Sequence, residues 1–158
     1  WRGINVDLSK FSIDLFNSIR PEDININSAV SNSEDLVTYY FQKDLSQLGT
    51  IKIDEAQKRM QGLIKEKKIR SQKLTTIIEN TKYNKRKIDF LNIDSEGADF
   101  DILKSLDFDM YRPKLICVEI HDTNVEKSEI NKFLINLNYN KKWSATFSHL
   151  YIDKFSSL

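Results

Sequence analysis

The chain has 158 residues, 30% of them charged, yet 24 Lys and Arg stand against 23 Asp and Glu for a net charge of +1. That length suits one domain with its own core, while the even charge balance offers no electrostatic footprint for nucleic acid: the basic clusters at 65–70 and 84–87 sit beside acids and read as solvated faces. A lone cysteine, Cys117, excludes an intrachain disulfide and, flanked by Leu115, Ile116 and Val118, reads as a buried, inert thiol of a cytoplasmic protein; no apolar stretch approaches the roughly 20 residues of a membrane span.

Gly-Ile-Asn-Val at 3–6 predicts a short strand, and from Leu8 the apolar positions Leu8, Phe11, Leu15, Phe16 and Ile19 recur at helical spacing. Arg20-Pro21 stops that helix, because the residue before a proline is pushed out of the α region. A second strand is predicted over 23–31, ending in small residues, and a third over 35–41, rich in β-branched and aromatic side chains. Residues 43–87 are read as a helical insertion, with an amphipathic stripe through Ile53, Ala56, Met60, Leu63 and Ile64, a short strand candidate at 67–73 and a helix starting at Leu74, Ile77 and Ile78. The pattern then sharpens: a strand at 88–93, a helix from Ala98 to Leu106, a strand at 114–120, a helix carried by Ile130, Phe133, Leu134 and Leu137, and strands at 139–143 and 148–154. Strands alternating with helices, and near-continuous apolar runs in two of them, indicate an α/β domain with a mostly parallel sheet covered by helices on both faces.

In such sheets ligands bind beyond the carboxyl ends of the strands. Those ends carry Asp7, then Ala29-Val30-Ser31, then Asp94-Ser95-Glu96-Gly97, then Glu119-Ile120-His121-Asp122. A carboxylate after an early strand accepts from both hydroxyls of a ribose, although Asp7 reads equally as an N-cap for the helix that follows. Ala29, Val30 and Ser31 offer small side chains on which an adenine could lie, or a plain strand end. Asp94 and Glu96, two residues apart at a turn that Gly97 permits, are costly together unless a ligand or a proton transfer uses them; the competing reading is a cap of the following helix by Glu96 or Asp99. Of the two histidines, His121 lies at the ligand edge as a candidate base, and His149 inside a strand reads as structural. Glu119 either faces the same cleft or pairs within the sheet. Four scattered glycines leave no G-x-G phosphate turn and no Walker loop, which ranks a dinucleotide-dependent oxidoreductase last.

The segments "RGINVD", "RPEDININSAVS" and "KIDFLNIDSEGADFDILKSLDFDMYRPKLICVEI" together resemble the FkbM family of S-adenosylmethionine-dependent methyltransferases, from Trp1 to about Ile120 and more loosely beyond. The resemblance implies a single, partial Rossmann-like class I methyltransferase domain over residues 1–158. It implies cofactor contacts from Asp7, where the family more often has Glu, and from Ala29, Val30, Ser31 and Asp94. Asp94, Glu96 and His121 are then the catalytic candidates. The family's first strand and its D-x-G-A-N-like cofactor loop have no counterpart here, so an N-terminally truncated domain is expected. The implied reaction is O-methylation of a hydroxyl on a carbohydrate or glycosylated small molecule with S-adenosylmethionine as cofactor. The alternative is a non-catalytic remnant or interaction module keeping the fold. No metal ligands are assigned; a divalent metal at the acids is the less favoured way of activating the hydroxyl.

Overall fold

The computed structural model describes residues 1–44 and 48–156. In chain order the elements are β1 (Ile4–Asp7), α1 (Lys10–Ile19), β2 (Ile24–Asn27), β3 (Ala29–Val30), β4 (Leu36–Phe41), α2 (Ile53–Arg59), β5 (Lys65–Gln72), α3 (Leu74–Glu79), β6 (Phe90–Ile93), α4 (Asp99–Lys104), β7 (Leu115–Glu119), α5 (Glu129–Asn136), β8 (Tyr139–Ser144) and β9 (Ser148–Asp153), with a 3-10 turn at Val125–Lys127. The α/β class follows. The pairing is more mixed than a mostly parallel sheet: β1/β2, β3/β5 and β6/β7 are parallel, whereas β4/β5, β7/β9 and β8/β9 are antiparallel. A short connection explains the β8/β9 pair, which is joined by a tight hairpin, whereas a parallel pair needs a long crossover.

The ladders form three sheets, ordered β1-β2, β3-β5-β4 and β6-β7-β9-β8. The strand expected over 23–31 is broken, since β2 pairs with β1 while β3 moves across to β5. The expected helical insertion over 43–87 contains α2 and α3 but also β5, the longest strand described, which makes a ribbon with β4. β5 takes in residues 67–72 of the short strand expected at 67–73 and begins two residues earlier, Lys65–Arg70 finding ladder partners on β4 and Ser71 and Gln72 on β3.

The core centres on β7, whose Ile116 and Val118 are fully buried between β6 and β9. Leu74 and Ile78 of α3, Leu103 of α4, and Ile130 and Leu134 of α5 close over it. Asp153, buried at the end of β9, accepts from Arg112 Nε and Nη2 at 2.9 and 2.7 Å, which pins the last strand to the segment entering β7. One stripe points the other way from the expectation: on α1, Phe11, Leu15 and Ile19 are exposed and Ile13 is buried, because the helix turns its Ser9–Ile13–Phe16 side toward β1 and β2.

Candidate active site

β1 and β6 both deliver their carboxyl ends to one cleft of about 500 Å³, lined by Val6, Asp7, Leu8, Ser12, Ser28, Val30, Tyr39, Ile51, Asp94, Glu96 and Ile102 among others. Its size lies within the ~300–1,000 Å³ usual for cofactor and small-molecule sites. On one wall, Asp7 Oδ1 accepts the Ser9 N–H at 2.7 Å, so part of the carboxylate does brace the start of α1. The cap itself is Ser9, whose hydroxyl accepts from the Ser12 N–H. Asp7 is therefore not the cap but braces it with one oxygen, and the residue lines the cleft. Burial pushes its carboxyl above the ordinary range, against smaller opposing effects from Ser9 and Ser12. A partly desolvated carboxylate of this kind gains from further donors.

On the opposite wall, the turn after β6 divides its acids by role. Asp99 is buried, and its two oxygens accept the N–H groups of Ser95 and Gly97, each at 3.2 Å. The bracing function thus falls to Asp99, which leaves Asp94 and Glu96 on the cleft. Glu96 itself adopts φ 51° and Gly97 φ 93°, so the turn runs through the left-handed region at two consecutive residues. For a non-glycine residue that conformation is costly and is found disproportionately where a side chain must be aimed.

The segment around α2 holds this turn from outside. Thr50 Oγ1 donates to the Glu96 carbonyl at 2.9 Å, and Arg59 pairs with the Glu96 carboxylate while its Nε lies 2.8 Å from Glu55 Oε2. Burial raises the Glu96 pKa, partly offset by Arg59 and reinforced by Asp94. Arg59, Thr50 and Tyr39 were not among the residues singled out from sequence, since they sit in a part of the chain without a readable motif. Tyr39 is buried beside Gly49, where a β-carbon would fall 2.5 Å from the tyrosine oxygen, and burial with the nearby Asp7 charge pushes its phenol to about 12.

Of the other expected residues, Val30 lines the cleft, as does Ser28. Ala29 is fully buried beneath it, and Ser31 is buried with its hydroxyl given to the Ser33 carbonyl at 2.8 Å. At the end of β7, His121 Nε2 stands 3.2 Å from Glu119 Oε2, its ring against Phe147 at 4.8 Å between centroids. Glu119 and His121 thus stand within 4.8 Å of Glu96, although the residues lining the cleft do not include them. Burial and then Asp94 raise its pKa. Cys117, on the same face of β7 as Glu119, is half-buried rather than buried, because it alternates with Ile116 and Val118; burial, then the charges of Asp94 and Glu119, pushes its thiol up. His149 is buried in β9 with Nδ1 3.0 Å from Ser144 Oγ, as a structural histidine should be.

No helix among the described residues is long and apolar enough to cross a membrane. No curated protein and no solved structure gave a significant match to the chain. A family model described as the methyltransferase FkbM domain matches residues 1–141, a span that takes in both walls of the cleft and the Glu119–His121 edge. The chain belongs to the FkbM methyltransferase family.

Proposed function

We propose that the protein is an S-adenosylmethionine-dependent O-methyltransferase that works in the cytoplasm on a hydroxyl of a carbohydrate or glycosylated small molecule. The observation that carries this reading is the single cleft with Asp7 on one wall and Asp94 and Glu96 on the other. The residues present suit the cofactor: Asp7 offers a partly desolvated carboxylate for a vicinal diol, and Val6, Leu8, Val30 and Ile51 supply apolar wall for a flat base. The acidic turn suits a cationic group. When bound, S-adenosylmethionine supplies an electrophilic methyl group on sulfur.

The chain's own contribution is then alignment and removal of one proton. Asp7 would hold the ribose, and Asp94 the methionine end. Glu96, whose raised pKa makes it a better proton acceptor than an ordinary carboxylate, and His121 near it would take the hydroxyl proton of an acceptor. A saccharide hydroxyl is a poor nucleophile until that proton leaves, which gives several carboxylates at one strand edge a purpose.

A single Rossmann-like sheet is the finer reading of the fold. β1 and β6 run the same way, their carboxyl ends lining the active-site cleft while Gly3, Ile4, Phe90 and Leu91 line a second cavity of about 570 Å³. A further parallel strand between the two would join the sheets. Calorimetry with S-adenosylhomocysteine tests the cofactor assignment: binding is expected, and Asp7→Ala should weaken it roughly tenfold or more, the value of about two lost hydrogen bonds. Absence of binding would leave a fold kept for interaction alone.

A further inference from the structure

We infer that Glu96, Glu119 and His121 form a divalent-cation site at the ends of β6 and β7. One ligand atom from each residue lies within 4.8 Å of the other two, two of the residues being partly buried and His121 more open. Ligands about 2.1 Å from a common ion stand roughly 3.0–3.4 Å apart. The Glu119–His121 pair, at 3.2 Å, already meets that spacing, and Glu96 closes the set by a side-chain shift of about an ångström or more. The set is mixed rather than merely acidic. Two carboxylates match a +2 charge, and the imidazole nitrogen favours a first-row ion of the manganese, iron or zinc kind over calcium or magnesium.

An independent observation comes from Glu119. Its Oε2 is shut off from solvent and accepts no hydrogen bond, because His121 Nε2, although 3.2 Å away, is out of line for one. A carboxylate oxygen stranded in this way is expensive unless something cationic meets it. Arg59 does not do so, being engaged with Glu96 and Glu55, and Asp94 adds a further negative charge to the neighbourhood. Phe147 packs against the His121 ring and limits its rotation. Three protein ligands leave open positions on the ion. Resting on the methyl-transfer reading, we assign one of those positions to the acceptor hydroxyl, whose pKa a bound cation would lower; in the cation-bound protein Glu96 and His121 serve as ligands rather than as proton acceptors, and the hydroxyl proton would pass to water.

Electron paramagnetic resonance of Mn²⁺ titrated into the whole chain, with no methyl donor present, tests the site. One ion per chain is expected to bind, with affinity falling roughly tenfold or more in both Glu119→Gln and His121→Ala and unchanged in the surface variant Glu129→Gln. In the loaded wild-type protein, electron spin echo modulation from one imidazole ¹⁴N is expected, a readout that survives any misfolding of the variants. Failure to bind below about 1 mM, binding indifferent to both substitutions, or absence of the nitrogen modulation would overturn the inference. The measurement is separable from the function itself, since the cation is titrated without S-adenosylhomocysteine and the calorimetry is run in chelator without the cation, so either can fail alone.

Discussion

Glu96 and Gly97 concentrate much of what is unusual at single residues. Gly97 is required twice over: its φ of 93° suits no other residue well, and a β-carbon there would lie 2.8 Å from Glu55 Cγ. Gly97→Ala should destabilise the protein by about 1–3 kcal/mol, read as a lowered urea midpoint, and should swing Glu96 away from Arg59. A second residue-level expectation concerns pH. Burial, followed by the charge of Lys141, lowers the His149 pKa below its ordinary value of 6.5. The unfolded chain then binds more protons than the folded one below that value, so the stability contributed by the neutral ring is complete above pH 6.5 and is lost as the pH falls through the folded-state pKa. The loss of stability between pH 7 and 5 should accordingly be smaller in His149→Gln than in the wild-type protein, as measured by urea unfolding at each pH.

At the scale of elements, α2 is the piece whose importance no motif announces. Its last residue, Arg59, reaches Glu96, and Lys52 just before the helix lies 2.5 Å from Asp101 of α4, so α2 ties the β6–α4 turn on both sides. Arg59→Met should leave S-adenosylhomocysteine binding near its wild-type value and lower kcat for methyl transfer roughly tenfold or more, the penalty of a misplaced acceptor base. An equal loss of donor binding would mean that Arg59 supports the cleft as a whole. The β-strands and helices around this segment follow their sequence patterns closely: α5 buries Ile130 and Leu134 as the spacing requires, and Asp99–Lys104 and Leu115–Glu119 fall within their expected ranges. α1 does not, because amphipathic spacing locates a stripe but not which neighbouring surface is there to cover it.

Over the whole molecule, β7 has a partner on each side, whereas β1 and β6 each show one ladder among the described residues, with the 570 Å³ cavity touching both. Backbone groups along an unpaired edge open more readily than those in a doubly paired strand. Hydrogen exchange should therefore be slowest at Ile116–Val118 and faster by roughly tenfold or more at Ile4–Val6 and Leu91–Ile93. Equal protection across all three would mean that another strand lies between β1 and β6 in solution.

The class of fold, most element positions and the acids after β1 and β6 were legible along the chain because they depend on local physics: apolar periodicity, the proline before β7, and a glycine that permits the turn after β6. Which acid braces and which acts was not, since Asp94, Glu96 and Asp99 are chemically alike and only the path of the turn gives Asp99 to the backbone. Nor could spacing foresee Arg59 on Glu96 or Glu119 beside His121 and Glu96. Both sets of contacts reach Glu96 from far along the chain: Arg59 from the end of α2, and Glu119 with His121 because parallel β6 and β7 bring their carboxyl ends to the same edge.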